Sequence, residues 1–93
     1  MVFSVELSKL AQKQYMKLPI HIQKSLRTWT DIIENEGILS MRKIPGFHDE
    51  PLKGNRQGQR SSRLSRGYRV IYEIDEQNTI TIVVVLEVNK HDY

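Results

Sequence analysis

The pattern of apolar positions predicts one strand and two helices in the first 36 residues. Residues 2–7 (VFSVEL) alternate enough between apolar and polar types to form a short strand. A helix over residues 9–18 should follow, because apolar side chains recur there at helical spacing and Ser8 can cap its N-terminus. The apolar stripe of this helix consists of Leu7, Leu10, Ala11, Tyr15 and Leu18.

A second helix is predicted over residues 20–36, between two residues that interrupt helices. Pro19 ends the first helix, and Gly37 suits the position just after the second. The apolar face of the second helix consists of Ile22, Leu26, Trp29, Ile32 and Ile33. The two helices should therefore form a hairpin with joined apolar faces, and Trp29 should lie in the core rather than at a binding surface.

The second half of the chain reads as a loop followed by strands. Residues 38–57 are rich in proline and glycine and predict a loop that could include a short strand. Three strand-like segments follow, joined by turns near Arg66-Gly67 and near residues 76–78. Their sequences are QRSSRLS (59–65), YRVIYEI (68–74) and TITIVVVLEV (79–88). The last segment is almost wholly apolar, which is typical of a central strand covered on both faces.

This order of elements predicts an α+β fold in a single domain over residues 1–93. A helical hairpin should pack on one face of a small, twisted, antiparallel sheet of about four strands. Most of the core is expected to come from Leu10, Leu18, Leu26, Trp29, Ile33, Ile71, Ile82, Val84 and Leu86.

Composition excludes several classes of protein. The chain has no cysteine, so disulfides and thiolate metal sites are not available to it. No apolar run reaches transmembrane length, and the N-terminus lacks the layout of a signal peptide. The expectation is a soluble, cytoplasmic protein with no membrane partner.

Positive charge is concentrated in the middle third of the chain. The net charge is +3, yet residues 42–69 alone contain eight Lys and Arg against two acids. Such asymmetry indicates a polyanionic partner, and the excess of arginine over lysine favours bidentate contacts with phosphate over generic solubility. A solvated basic face is the alternative that charge alone leaves open. The candidate RNA-binding residues are Arg42, Lys43, Arg56, Arg60 and Arg66.

The chemistry that these residues could support is acid–base catalysis. The three histidines are far apart and have no carboxylate at ligand spacing, so no metal and no cofactor is expected. Cleavage of RNA by its own 2′-OH needs a base, a cation for the charge on phosphorus, and an acid for the leaving oxygen. The candidate acid–base groups are Glu50, Lys53, His91, Asp92 and Tyr93, with His48 as an outlying possibility.

Three segments together resemble the RelE/ParE superfamily of bacterial toxins, most closely its YoeB and HigB branches. They are EPLKGNRQG (50–58), SSRLSRGYRVIYEI (61–74) and the C-terminal HDY (91–93). The resemblance implies a RelE-like toxin domain that cleaves mRNA in the A site of the small ribosomal subunit, in contact with rRNA. It also implies a cognate antitoxin protein that neutralises the toxin.

The resemblance also implies roles for single residues. Glu50 falls on the position of the general base, which is a glutamate in YoeB-like and a histidine in HigB-like proteins, and Lys53 falls on the conserved lysine. Arg63 and Arg69 fall on the basic positions of two strands. The structural alternatives for Glu50 are a loop carboxylate without a specific role and a salt-bridge partner for Arg63, and a cross-strand ion pair is the alternative for Arg69.

The C-terminus departs from the pattern of either branch. YoeB-like chains end in His-Tyr and HigB-like chains in Asp-Tyr-His, whereas this chain ends in His91-Asp92-Tyr93. Tyr93 matches in both cases, but the general acid could be His91 or Asp92. The alternative function is that of the ParE branch, which inhibits DNA gyrase by binding and cleaves no RNA.

Overall fold

The computed structural model describes residues 2–90 and confirms the α+β fold. The helices are α1 Lys9–Lys17, α2 Ile20–Glu36 and α3 Ile38–Arg42. The strands are β1 Val2–Leu7, β2 Glu50–Pro51, β3 Arg60–Arg63, β4 Tyr68–Gln77 and β5 Ile80–Lys90. None of the helices within residues 2–90 has the length and apolar character needed to span a bilayer.

Ser8 begins α1 as the sequence predicts and also joins the helix to the sheet. Its side-chain oxygen accepts a hydrogen bond from the backbone N–H of Ala11 at 3.0 Å. The same hydroxyl donates to the carbonyl of Leu86 in β5 at 2.8 Å. One side chain therefore fixes both where the helix starts and where it sits against β5.

Replacing Ser8 with alanine should lower the free energy of unfolding by about 1 to 2 kcal/mol, because both bonds are lost. Urea titration of the purified protein measures this difference. Ser25→Ala is the matched control, since the Ser25 hydroxyl only donates to the carbonyl of His21 one turn back in α2. An equal loss of unfolding free energy in the two variants would mean that the hydrogen bonds of Ser8 to Ala11 and Leu86 add no stability beyond that of an ordinary helix serine.

The sheet contains five strands in the order β1-β5-β4-β3-β2. The expectation of a fully antiparallel sheet is wrong at one edge, where β1 pairs with β5 in parallel from Val2 opposite Ile80 to Leu7 opposite Val85. All other pairs are antiparallel. The prediction rested on the turns that the sequence indicates, which are hairpin turns and join antiparallel strands. The chain instead continues from β1 into two helices, and a connection of this kind permits a parallel neighbour.

The core lies between the helices and one face of the sheet. Trp29 is fully buried as predicted and packs edge-on against Tyr72 of β4, with ring centroids 5.3 Å apart. Leu10 is a wrong prediction, since it is 51% exposed. The small side chain of Ala11 takes the buried position of α1 instead, which leaves Leu10 on the outer side of the helix.

The core-facing residues of β5 also differ from the prediction. Thr81, Val83, Val85 and Val88 are buried, whereas the predicted Ile82, Val84 and Leu86 are only half-buried. Tyr72 pairs with Val85 while its neighbour Ile71 pairs with Glu87, so Leu86 is an extra residue that forms a bulge. The apolar run of β5 has no alternation with polar residues, so the sequence does not show which of its side chains face the core. Up to Val85 every second residue is buried, but the bulge adds one residue, so that the next buried position is Val88.

Residues 38–42 form α3, where the sequence predicts a loop. Ile38 and Met41 are buried one turn apart, and this short apolar face is sufficient to hold a single helical turn. Gly37 lies between α2 and α3 with φ 94°, a conformation that favours glycine. A Cβ at this position would also lie 3.1 Å from the ring of Phe3, so β1 closes over the junction.

Candidate active site

The antiparallel register brings the predicted site residues onto the face of the sheet opposite the helices, here called the open face. Glu50 of β2 lies opposite Ser61 of β3, and Arg63 of β3 lies directly opposite Arg69 of β4. Directly opposed residues project to the same side of a sheet. These four residues and His48 line a pocket of ≈ 30 Å³.

Two arginines dominate the electrostatics of this pocket. Like charges that face each other across a strand pair repel and are destabilising unless an anion lies between them. Arg63 and Arg69 are half-buried, and the Nε atom of Arg69 is buried without a hydrogen-bond partner among residues 2–90. The alternative of a cross-strand ion pair for Arg69 has no support in that part of the chain, because its neighbours are Arg63 and Asn89. The pocket is suited to a phosphate group.

Glu50 approaches His48, which also lines the pocket. The distance from His48 Nε2 to Glu50 Oε2 is 3.8 Å, and both side chains are largely exposed, at 61% and 57%. His48 also has the left-handed backbone conformation, with φ 43° and ψ 49°. This conformation is strained in a residue with a side chain, and such strain is often found at functional sites. The structure thus brings His48, an outlying candidate in the sequence, into the site.

The remaining predicted catalytic residues lie outside the pocket lining or outside the described residues. Lys53 is exposed and precedes a 3₁₀ turn over Gly54–Arg56. His91, Asp92 and Tyr93 lie outside the described residues, so their roles stay predictions. Ser61 was not a candidate in the sequence, because a serine in a basic strand carries no signal of its own.

Three of the five predicted RNA-binding cations form internal ion pairs. Arg42 and Arg60 contact the carboxylate of Asp49, and Arg56 contacts that of Glu87 on β5. Lys43 and Arg66 are exposed. The charge available to a polyanion is therefore smaller than the sequence suggests, since part of it is neutralised within the fold.

Asp49 is the main residue near the site that the sequence analysis missed. Its side chain is fully buried, and Oδ1 accepts a hydrogen bond from Nε of Arg60 at 2.8 Å, with Nη2 of the same guanidinium at an ion-pair distance of 2.7 Å. Oδ2 accepts from the hydroxyls of Ser62 at 2.6 Å and Tyr72 at 2.5 Å. No residue-type pattern distinguishes this carboxylate from the exposed Glu50 beside it. The sequence could reveal it only through contacts between residues distant in the chain.

The surroundings of Asp49 also affect the protonation of its partners. Burial, followed by the hydrogen bond to Asp49, raises the pKa of Tyr72 to about 12, although Arg42 opposes this shift. Burial lowers the pKa of Arg60, but the hydrogen bond and the charge of Asp49 outweigh it, so that the net pKa is raised. Tyr72 thus stays a hydrogen-bond donor and Arg60 stays charged at physiological pH.

Comparisons with known proteins give matches in structure only. No protein-family model matches the chain, and no curated protein sequence does either. Among solved structures, a chain of the toxin–antitoxin complex RelBE2 from Mycobacterium tuberculosis is similar over 98% of this chain and 100% of its own. The identity is 26% and the TM-score 0.69.

Two further structures, from other organisms, show a similar match. A chain of the archaeal RelE–RelB complex from Pyrococcus horikoshii OT3 has 24% identity and a TM-score of 0.71, covering 97% of this chain and 96% of its own. A chain of the YoeB–YefM complex from Staphylococcus aureus has 19% identity and a TM-score of 0.71, covering 99% and 100%. The RelBE2 match confirms the resemblance to the RelE/ParE superfamily that the sequence indicates, and the other two structures share its fold.

Proposed function

We propose that this chain, which has the fold of the RelE and YoeB toxins, is the toxin of a toxin–antitoxin pair and cleaves mRNA on the ribosome. The observation that carries the proposal is the pocket itself, because it combines an exposed carboxylate, Glu50, with the opposed arginines Arg63 and Arg69. A base and two cations around one pocket supply two of the three kinds of group that cleavage by a ribose 2′-OH requires, the third being an acid.

In this mechanism Glu50 accepts the proton of the 2′-OH, and Lys53 is the alternative base. The 2′-oxygen then bonds to the adjacent phosphorus while the bond to the 5′-oxygen breaks. Arg69 and Arg63 stabilise the negative charge that builds up on the non-bridging oxygens in between. The products are a 2′,3′-cyclic phosphate and a 5′-OH.

The proton for the leaving 5′-oxygen is assigned to the C-terminal residues, with His91 and Asp92 as the two candidates. This assignment is supported by the position of β5, which ends beside the pocket because Asn89 lies opposite Arg69. Any three residues can span at most about 10 Å, so the pocket is within the reach of the C-terminal residues. Tyr93 is expected to stack on a base of the substrate.

Binding to the ribosome should depend on phosphate contacts and weaken steeply between low and high salt. Lys53→Ala should lower affinity and leave stability unchanged, because Lys53 is exposed. Arg60→Ala is the informative comparison, since it leaves the buried Asp49 without its nearest cation and should destabilise the protein. Affinity at several salt concentrations and urea titration of both variants measure this. A flat salt response would contradict phosphate-dominated binding.

The antitoxin is proposed to be an acidic protein segment, helical or extended, that covers part of the basic surface or displaces the C-terminal residues. The structural relatives from Mycobacterium tuberculosis, Pyrococcus horikoshii and Staphylococcus aureus are parts of toxin–antitoxin complexes, which supports a partner of this kind. The site of action is the cytoplasm, where ribosomes and mRNA are found.

The experiment that tests this function compares two activities of one preparation. The protein is incubated with translating ribosomes while mRNA ends are mapped, and in parallel DNA gyrase supercoiling is assayed. Cleavage within the ribosomal A site with unaffected gyrase is the expected result. Inhibited supercoiling with intact mRNA would favour the ParE-like alternative instead.

A further inference from the structure

Asp49 connects the two sides of the sheet at the candidate site. Its neighbours in the chain, His48 and Glu50, line the pocket on the open face. Its own carboxylate lies on the opposite face, where it accepts hydrogen bonds from Ser62 and Tyr72, both fully buried. The side chain of Asp49 therefore fixes the segment 48–50 from the helix-covered face of the sheet and does not line the pocket itself.

The backbone pairing that supports this segment is short. β2 contains only two residues, and one of them, Pro51, has no N–H to donate to a neighbouring strand. His48 also needs its strained left-handed conformation to be stabilised by its surroundings. Three hydrogen bonds of 2.5–2.8 Å to the Asp49 carboxylate, one of them from the charged Arg60, supply that constraint, together with the ion pair to Arg60 Nη2.

We propose that Asp49 is a positioning residue, whose buried hydrogen bonds hold Glu50 and His48 in line with Arg63 and Arg69. The role concerns catalysis and thus rests on the proposed function, although the constraint on residues 48–51 can be measured without RNA. Substrate binding should depend on the arginines and the exposed lysines, and should not require Asp49. The loss of this carboxylate should therefore reduce the rate of cleavage and spare affinity.

The central variant is Asp49→Asn, which keeps the shape of the side chain and removes its charge. The rate of a single turnover at saturating ribosomes should fall by about 100-fold, as expected for a base displaced by about 1 Å. The half-saturating concentration should change by less than about twofold. Asp75→Asn is the matched control, because Asp75 is an exposed aspartate of β4 whose side chain bonds only Gln77 among residues 2–90. It should change neither quantity.

Combining Asp49→Asn with Glu50→Gln tests whether Asp49 acts through Glu50. If Glu50 is already disabled, the loss of Asp49 should cost at most about a further threefold, because the two changes remove one function. An equal loss in both backgrounds would mean that Asp49 acts independently of Glu50 and would overturn the proposal. An unchanged rate in Asp49→Asn alone would overturn it too.

Hydrogen exchange provides a readout that does not depend on activity. The amides of His48 and Leu52 bond the carbonyls of Pro45 and Gln59, so they report on both ends of the segment. In Asp49→Asn they should exchange at least about tenfold faster, while amides of α2 and β4 keep their wild-type rates. Acceleration over the whole chain would make Asp49 a residue of general stability and contradict a positioning role.

Tyr72→Phe is the milder variant to use if Asp49→Asn does not fold. It keeps the ring that packs on Trp29 and removes one hydrogen bond from Asp49. The same pattern is expected at a smaller size, with a several-fold lower rate and faster local exchange; an unchanged rate and unchanged exchange would overturn the proposal. If the wild-type protein cleaves no RNA, the proposed function fails, and local exchange still decides whether Asp49 holds the segment.

Discussion

Replacing Arg69 with alanine should reduce the rate of mRNA cleavage on programmed ribosomes by about 100- to 1,000-fold, the usual cost of losing one preorganised donor to a charged transition state. Arg69 lies opposite Arg63 and lines the pocket with it, while its own Nε is buried without a hydrogen-bond partner among residues 2–90. Because its side chain lines the pocket, the guanidinium is placed to bind a substrate oxygen. A single-turnover assay at saturating ribosomes separates this effect from weaker binding.

Arg66→Ala is the control for charge, because Arg66 is an exposed arginine of the turn between β3 and β4. It should raise the half-saturating concentration modestly, through the loss of one phosphate contact, and leave the rate at saturation unchanged. Equal losses of rate in the two variants would show that only bulk charge matters. A normal rate in Arg69→Ala would refute the mechanism.

Replacing Glu50 with glutamine should lower the same rate by about 100- to 10,000-fold, the range that a general base contributes. Glutamine keeps the size and polarity of the side chain but cannot accept the proton of the 2′-OH. His48→Ala and Lys53→Ala should cost less, because in this account neither residue is the primary base. The single-turnover assay at saturating ribosomes measures all three variants.

Glu76→Gln is the matched control for Glu50→Gln, since Glu76 is an exposed glutamate at the far end of β4. It should cleave at the wild-type rate. If Glu50→Gln also cleaves normally while Lys53→Ala or His48→Ala does not, the assignment of the base moves to that residue. The arginine assignments would be unaffected by this outcome.

The helical half of the fold could be predicted closely from the sequence. The predicted helices at 9–18 and 20–36 correspond to Lys9–Lys17 and Ile20–Glu36, with Ser8 as the cap. Their ends are fixed by proline, glycine and a capping serine, whose effects are local and act within a few residues. Interactions between residues close in the chain are therefore sufficient to predict where these two helices begin and end.

The errors concern features that depend on distant partners. Whether β1 runs parallel or antiparallel to β5 is decided by how the helices carry the chain across the sheet. The bulge at Leu86 arises from the register in which β5 pairs with β4. The carbonyl of Leu86 accepts a hydrogen bond from the hydroxyl of Ser8, which is 78 residues away in the chain. Neither feature has a signature within a short window of sequence.

Where the candidate site residues lie depends on the strand register as well as on the sequence. Glu50, Arg63 and Arg69 line one pocket because the antiparallel register of β2, β3 and β4 puts them on the same face of the sheet. Their catalytic roles stay predictions. The environment of each residue could not be foreseen, since burial separates Asp49 from Glu50 although they are neighbours of the same charge. For the same reason, Arg42, Arg56 and Arg60 appeared available in the sequence but form internal ion pairs.

The chemistry of the cut ends of the mRNA tests the central claim most directly. Purified protein is mixed with ribosomes carrying a defined mRNA, and the 3′ end of the upstream fragment is identified by mass spectrometry. Attack by the neighbouring 2′-OH predicts a 2′,3′-cyclic phosphate there and a 5′-OH on the downstream fragment. A free 3′-OH paired with a 5′-phosphate would mean that water is the nucleophile, and would contradict the roles assigned to Glu50 and Arg69.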